Sequence, residues 1–295
     1  MSNSIQHRLA NLDRSSNPEL LSAVLEQLEK QHFQAQFSAE QILQWCEQFG
    51  LSQVDLALAC LPVAACYALP PVSNFYVGAV AIGKSGKFYF GANQEFAQDA
   101  IGQSVHAEQS AISHAWLSGE TGLTDMAVNY SPCGHCRQFM NELNTAMDLQ
   151  VHLPNSHHNL LQNYLPESFG PKDLNIEKRL FDVQQQDFGS DSDPLINAAI
   201  DAASRSYSPY SQTFSGVALQ VGDQILTGRY AENAAFNPSF LPLQSALNQH
   251  RLQGLQSVPI TRVVMAERKS VLSHRQITAS LAQHYLNLPV EYISL

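Results

Sequence analysis

The sequence predicts an α/β protein, a three-layer α/β/α sandwich that is duplicated and preceded by a small helical segment. Strand and helix patterns alternate between residues 75 and 153, similar segments return after residue 194, and the first 49 residues carry helical patterns. Strands that alternate with covering helices are typical of layered α/β domains. The predicted units are a helical segment at 1–49, a catalytic domain at 50–153, a linker at 154–193 and a degenerate domain at 194–295.

Helix signals dominate the N-terminal segment. Asn17 is a predicted N-cap with Pro18 at the first helical position, and an apolar stripe follows at helical spacing. Ser38 opens a capping-box pattern for a second helix that should stop at Gly50. A third apolar helical stretch over 52–68 should be interrupted at Pro62.

The spacing of apolar residues changes from a helical to a strand pattern at Phe75, which marks the predicted start of the first sheet. Residues 75–82 and 87–90 alternate around a Gly-rich turn and predict a hairpin. The elements predicted after it are a helix at 107–118, a strand at 124–130, a helix at 134–146 and a strand at 149–153.

The second half repeats the first with altered residues. The matching segments are 208–219 with 71–80, 228–232 with 91–95, and 244–246 with 109–111. In this alignment Leu241 takes the position of His106 and Leu243 that of Glu108, and no cysteine follows Cys136. The second copy is therefore expected to keep the fold, lack a metal and serve packing, oligomerisation or enclosure of the first domain's site.

A metal-binding pattern lies in the first copy. His106-Ala107-Glu108 is followed by Pro132-Cys133-Gly134-His135-Cys136. One His and two Cys give three zinc ligands with a fourth position open, which is typical of catalytic zinc, whereas structural sites are closed by four protein ligands. The alternative is a structural zinc knuckle, but no fourth ligand is evident, and His135 suits a surface turn better.

The same residues supply the equipment for hydrolysis. Zinc lowers the pKa of bound water toward roughly 7. A carboxylate beside the metal, Glu108, can carry protons to a ring nitrogen and to a leaving amine in turn. This combination is sufficient for hydrolytic deamination of an amino-substituted ring.

Charge and composition limit the kinds of molecule that the protein is expected to bind. The net charge is −10, and a polynucleotide deaminase would need a basic surface, so a small, weakly charged substrate and no nucleic acid are expected. The sequence contains no apolar run of about 18 residues, so no membrane-spanning helix is expected. The N-terminus also lacks the apolar region of a signal peptide. The other cysteines, Cys46, Cys60 and Cys66, fit buried thiols in a reducing compartment, which favours a cytoplasmic location.

Several segments together resemble the cytidine deaminase family, in its long, dimeric bacterial form. The zinc motif alone is shared by several nucleobase deaminase families. The segment around Phe75 and the pair Asn93 and Glu95 are similar to those of the nucleoside deaminases. The segments that carry the resemblance are 73–79, 90–95, 105–112, 129–139, 164–174 and 230–236.

This resemblance implies a role for each matching residue. It implies one Zn²⁺ per chain with His106, Cys133 and Cys136 as ligands, and Glu108 as the proton shuttle. The substrate-binding residues it implies are Phe75 against the pyrimidine, Asn93 and Glu95 on the ribose hydroxyls, Ala107, and Phe169 in a segment that reaches the neighbouring subunit of a homodimer. An amide and a carboxylate suit sugar hydroxyls, and an aromatic face suits a flat base.

Other interpretations of these residues stay open at this point. Phe75 fits a core residue, Asn93 a turn residue, Glu95 a solvated acid and Phe169 a packing residue. For the activity, the alternatives to deamination of cytidine and deoxycytidine are a modified nucleoside, a free base or an RNA-borne base as substrate. A non-catalytic zinc-stabilised binding protein is a further alternative, against which the intact Glu108 argues.

Overall fold

The computed structural model describes residues 4–295 as helices around two β-sheets. The helices are α1 (Ile5–Ala10), α2 (Pro18–Lys30), α3 (Ala39–Phe49), α4 (Gln53–Ala65), α5 (Ala107–Leu117), α6 (Gly134–Met140), α7 (Leu161–Tyr164), α8 (Pro194–Ser204), α9 (Pro242–Leu252) and α10 (Arg275–Leu281). The strands are β1 (Gln36–Phe37), β2 (Gly78–Gly83), β3 (Phe88–Ala92), β4 (Leu123–Val128), β5 (Gln150–Leu153), β6 (Ser156–Leu160), β7 (Ser215–Val221), β8 (Gln224–Arg229), β9 (Ile260–Glu267) and β10 (Val290–Ser294).

The N-terminal helices begin and end close to the predicted positions. Ser38 caps α3 by accepting from the Gln41 N–H, and Gly50 ends this helix in the left-handed conformation with φ +65°. The predicted interruption of α4 at Pro62 was wrong. Pro62 lies on the exposed face of the helix, where water can satisfy the carbonyl that its missing N–H leaves free. The segment also contains a strand, because β1 pairs with β3.

The first sheet has the order β1-β3-β2-β4-β5-β6, with β4 and β5 parallel and its other neighbours antiparallel. The predicted hairpin is β2–β3, but β2 starts at Gly78 and not at Phe75. The side chain of Asn93 accepts from the Val77 N–H at 2.9 Å and donates to the Phe75 carbonyl at 2.8 Å. These bonds hold the preceding residues in a loop outside the ladder.

Helix α6 is shorter than predicted, ending at Met140 and not at residue 146. Beyond it the chain turns so that Leu143 forms a bridge with Leu180, and the Leu180 N–H donates to the Glu142 carbonyl at 3.1 Å. This pairing with a distant segment competes with continuation of the helix. Local sequence could not show it.

The second sheet repeats the first in the order β10-β9-β7-β8, again with one parallel pair, β9 and β10. Gly91 on β3 and Gly228 on β8 mark the same close approach to a helix. A Cβ on Gly91 would come within 2.2 Å of the Ala111 nitrogen, and one on Gly228 within 2.2 Å of the Ala246 nitrogen. Gly78 instead faces α4, so helices cover both sides of the sheet. The predicted duplicated three-layer architecture is confirmed.

The two copies meet through α5 and α9 with reciprocal hydrogen bonds. Gln109 donates to the Pro238 carbonyl at 2.9 Å, and its counterpart Gln244 donates to the Gln103 carbonyl at 2.7 Å. Because the same bond occurs in both directions, the contact is locally two-fold symmetric, as in an interface between identical subunits.

The region between the two sheets is only partly irregular. Residues 154–193 include β6, which extends the first sheet, the short helix α7 and a 3₁₀ turn at Pro171–Leu174. The boundaries of the predicted linker stay predictions. No single helix within residues 4–295 has the length and apolar composition to cross a membrane; α3 and α4, bent by 101°, meet those criteria only as a pair.

Candidate active site

Two helix N-termini bring the predicted metal ligands together. His106 is the residue before α5, Cys133 is the residue before α6, and Cys136 lies in the first turn of α6. Free N–H groups at a helix N-terminus favour thiolate over thiol. The local sequence therefore places three ligand groups where deprotonated cysteines are stabilised.

The ligand atoms have the spacing of a zinc site. His106 Nδ1 lies 3.4 Å from Cys133 Sγ and 3.3 Å from Cys136 Sγ, and the two sulfurs are 3.6 Å apart. Tetrahedral zinc, with Zn–S bonds of about 2.3 Å and Zn–N bonds of about 2.0 Å, places its ligand atoms about 3.5–3.8 Å apart. The donor set and its geometry thus fit Zn²⁺ with a fourth position left for a non-protein ligand. Within residues 4–295 these three form the one His/Cys/Asp/Glu group compact enough to hold a metal.

The local electrostatics make one cysteine acidic. Hydrogen bonds from Cys136 and then His106 lower the pKa of Cys133 to about 3, and burial opposes them. The pKa of Cys136 is raised by its hydrogen bond with Cys133 and by its own burial. His135 does not join the group but stacks on His106, with ring centroids 4.9 Å apart.

Glu108 lies beside the ligands and is almost fully buried, with 4% of its surface exposed. Its Oε2 is 3.2 Å from Cys136 Sγ. Burial raises the pKa of this carboxyl, against hydrogen bonds from its own backbone and from Cys136. A carboxyl whose pKa is raised holds a proton more readily, which suits it to take up and release protons.

A cleft of about 530 Å³ opens onto these residues, a volume suited to a small molecule. Phe75 forms one wall; it is 48% exposed and its ring centroid is 4.6 Å from that of Tyr130. It is therefore not a core residue. The lining residues are Ser73, Phe75, Val77, Asn93, Glu95, Ile101, Ser104, Val105, His106, Ala107, Glu108, Tyr130, Ser131 and Cys133.

The predicted ribose pair also shapes the cleft. Both oxygens of Glu95 are engaged, Oε2 with the backbone N–H groups of Val72 and Ser73 and Oε1 with the Ser73 hydroxyl. Although burial acts to raise the pKa of Glu95, these bonds lower it overall. Asn93 and Glu95 together fix the loop that carries Phe75, so neither is a freely solvated side chain.

The other two predicted substrate contacts differ in position. Ala107 is buried in the cleft wall, at the first position of α5. Among residues 4–295, Phe169 is not part of that lining. It is 49% exposed, and its carbonyl accepts from Gln138 at 2.9 Å and from Asn141 at 3.1 Å, both at α6.

Sequence reasoning missed some of the lining. Tyr130, which is 50% exposed, packs on Phe75 directly after β4. Ile101 and Ser104 come from the turn that precedes His106. In the sequence, only their proximity to the metal motif could have identified these residues. Tyr130 lies three residues before the first cysteine of the motif, and Ser104 lies two residues before its histidine.

The second half has hydrophobic or hydroxyl residues at the equivalent positions. Leu241 precedes α9 as His106 precedes α5, and Leu243 is buried. The β-ladders make Met265 the counterpart of Val128. Cys133 and Cys136 lie five and eight residues after Val128. The residues five and eight positions after Met265 are Ser270 and Ser273, which are therefore their counterparts. On this count, the positions that match the metal ligands carry no zinc-binding side chain.

Comparison with known proteins agrees with this arrangement. Two models described as "Cytidine and deoxycytidylate deaminase zinc-binding region" match residues 52–151 and 161–279. Cytidine deaminase of Actinobacillus pleuropneumoniae serotype 5b is 62% identical, over 99% of this chain and 98% of that protein. Cytidine deaminase of Actinobacillus succinogenes is 60% identical over 100% of both.

Among solved structures, cytidine deaminase from Burkholderia pseudomallei is 29% identical, with a TM-score of 0.35 over 39% of this chain and 98% of that chain. The zinc-binding region matched over residues 52–151 contains His106, Cys133 and Cys136, and the identity to the Actinobacillus proteins extends over the full chain. The chain belongs to the cytidine deaminase family.

Proposed function

We propose that this chain hydrolyses cytidine and deoxycytidine to uridine and deoxyuridine, with release of ammonia. The observation that carries the proposal is the position of Glu108, a buried carboxyl 3.2 Å from Cys136 Sγ at the end of a cleft of nucleoside size. A structural metal site has no use for such an acid. Its position in the cleft lining, next to the ligand cluster, supports a role beside the substrate ring.

His106, Cys133 and Cys136 would hold one Zn²⁺ per chain, which their spacing of 3.3–3.6 Å fits. Bound there, zinc supplies Lewis-acid activation of water at neutral pH. The protein's part is to hold the two thiolates and the imidazole at helix N-termini and to leave the substrate side open.

Glu108 acts as the proton carrier in this scheme. The carboxylate takes a proton from the attacking water and passes it to the ring nitrogen next to the amino-bearing carbon. It then carries the second proton to the departing amine, so water adds, ammonia leaves and the carboxylate is regenerated. Its burial suits both roles because desolvation raises the pKa of the carboxyl and so favours uptake of a proton.

The cleft walls orient the nucleoside in this proposal. Phe75 presents an exposed ring face to the pyrimidine, and Ala107 lies against the same space from α5. Asn93 and Glu95 line the cleft and receive the ribose hydroxyls by exchanging part of their present bonds to the Phe75 loop.

The proposed active unit is a cytoplasmic homodimer that binds a small nucleoside and neither nucleic acid nor membrane. Phe169 supports the dimer, since its side chain is half exposed and does not line its own chain's cleft among residues 4–295. The proposed division is a helical segment at 1–49, a catalytic domain at 50–153, a linker at 154–193 and a metal-free domain at 194–295.

The test is product analysis with zinc-replete protein. Cytidine should give equal amounts of uridine and ammonia, while free cytosine and single-stranded RNA should react far more slowly. Zinc-replete protein that releases no ammonia from cytidine or deoxycytidine would contradict the proposal. Faster reaction of cytosine than of cytidine would favour the free-base alternative.

A further inference from the structure

Glu142 is a fully buried carboxylate that lies outside the cleft. It follows α6 directly, and its exposed fraction is 0%. Oε1 accepts from the hydroxyls of Tyr207 at 2.7 Å and Tyr210 at 2.5 Å, and Oε2 accepts from the Ala234 N–H at 3.1 Å. All three donors belong to the second half.

These bonds fix the end of α6 relative to the second half. A buried carboxylate is costly unless its oxygens are bonded, and here both are. Burial raises the pKa of Glu142, against bonds from Tyr210, Ala234 and Tyr207. Because Glu142 is fully buried, a movement of α6 that broke these bonds would leave its oxygens unpaired, so this end of the helix is held firmly.

The donors come from the second half's counterpart of the Phe75 loop. Tyr207 forms a parallel bridge with Ala231, as Leu69 does with Gln94 in the first half. The Tyr210 N–H donates to Glu232 at 2.8 Å, much as the Val72 N–H donates to Glu95. The loop that helps to form the cleft in one half therefore receives a side chain of the other half here.

Helix α6 links this contact to the active site. Cys136 lies in its first turn, Gln138 binds the Phe169 carbonyl, and Asn233 of the second half donates to the Gln138 carbonyl at 2.9 Å. One short helix thus carries a metal ligand and part of the support for Phe169, and the anchor at Glu142 lies just after its end. At a rise of 1.5 Å per residue, α6 is only about 10 Å long, so the anchor and the metal ligand lie close together along the chain.

We propose that Glu142 is a positioning residue, through which the metal-free half holds α6 and thereby sets the geometry of the Cys136 thiolate. The inference rests on the proposed zinc site but not on the proposed substrate. It gives the second half a direct role in shaping the metal centre, beyond packing or enclosure.

The test uses full-length protein loaded with Co²⁺ or Zn²⁺. Glu142→Gln and Tyr210→Phe weaken the anchor, and Tyr292→Phe is the matched control, because it removes a 3.1 Å hydroxyl bond to the buried Glu267 in the same half. The measurements are the cobalt–thiolate absorption bands and the rate at which a chelator removes zinc. Neither readout needs substrate.

We expect Glu142→Gln to shift the cobalt bands and to speed zinc release about tenfold, the scale on which outer-sphere partners tune metal sites. Tyr210→Phe should change both readouts in the same direction by less, and Tyr292→Phe should leave both at wild-type values. The inference would be overturned if Glu142→Gln left the cobalt bands and the zinc release rate unchanged. It would also be overturned if Tyr292→Phe changed both as much as Glu142→Gln does. If Glu142→Gln fails to fold, Tyr210→Phe decides by the same criteria. Failure of wild-type protein to bind zinc would instead refute the proposed site.

Discussion

His106 and Leu241 occupy the same backbone position in two copies of one fold. Each precedes a helix, with φ −88° and ψ 154° at His106 and φ −78° and ψ 153° at Leu241. One copy gathers a histidine and two cysteines in front of that helix, and the other has leucine and serines. The backbone therefore does not depend on the metal ligands, and the chemistry depends on a few side chains placed on it.

The two halves also differ in the surroundings of an equivalent glutamate. Glu95 is partly exposed in an open cleft, whereas its counterpart Glu232 is 0% exposed and accepts from the backbone of Tyr210 and from the hydroxyl of Tyr230. Tyr230 takes the position of Asn93. In the second half, the residues at the position of the proposed sugar-binding pair are buried in the core.

The largest expected effect is the difference in turnover between a substitution at Glu108 and one at its counterpart Leu243. Glu108→Gln should keep zinc but lower turnover by several orders of magnitude, since general acid–base catalysis contributes roughly 10²–10⁴-fold per role and Glu108 serves more than one transfer. Leu243→Met, at the equivalent position, should leave turnover unchanged. Steady-state rates with zinc analysis check both, and near-normal turnover of zinc-replete Glu108→Gln would remove the proposed mechanism.

A mixing experiment asks whether a site takes a residue from each of two chains. Glu108→Gln and Phe169→Ala proteins should each be weakly active, and mixing them should restore activity. In a mixed dimer one site lacks both groups and the other is intact, so random exchange should give about a quarter of wild-type activity. No recovery, once subunit exchange is verified, would place Phe169 in its own chain's site or in none.

Loss of Asn93 or Glu95 should weaken the reaction of nucleosides more than that of the free base. Alanine at either position should lower kcat/KM for cytidine relative to cytosine by about 5- to 150-fold, the kinetic equivalent of about 1–3 kcal/mol for unpaired hydrogen-bonding groups. The control is Glu232→Gln in the second half, which should lower the melting temperature without changing that ratio. An unchanged ratio in both alanine variants would exclude the ribose role.

The smallest effect concerns acid stability. His114 is buried with a pKa lowered to about 4 by desolvation, while its counterpart in α9 is Gln249. Unfolding returns the pKa of this histidine to about 6.5, so the unfolded state binds more protons between these values and stability falls as pH drops through this window. The melting temperature of His114→Gln should fall less between pH 7 and pH 5 than that of wild type. Equal falls would contradict the assignment.

Sequence could predict the ligand cluster because its geometry is local. The two cysteines share one turn, and the helix that follows His106 has apolar residues at helical spacing. The start of β2 was not predictable, because Asn93 competes with the ladder through its side chain. The Glu142 anchor was equally hidden, since its partners are 65 residues or more away and have no local pattern.

The count of zinc ions per chain tests the central claim, one live and one metal-free site, most directly. Metal analysis of purified wild-type protein should give one tightly bound zinc per chain, and Cys133→Ala should give none and no activity. Ser270→Ala, the counterpart change in the second half, should still give one zinc and full turnover. Two zinc ions per wild-type chain, or loss of zinc in Ser270→Ala, would contradict the account.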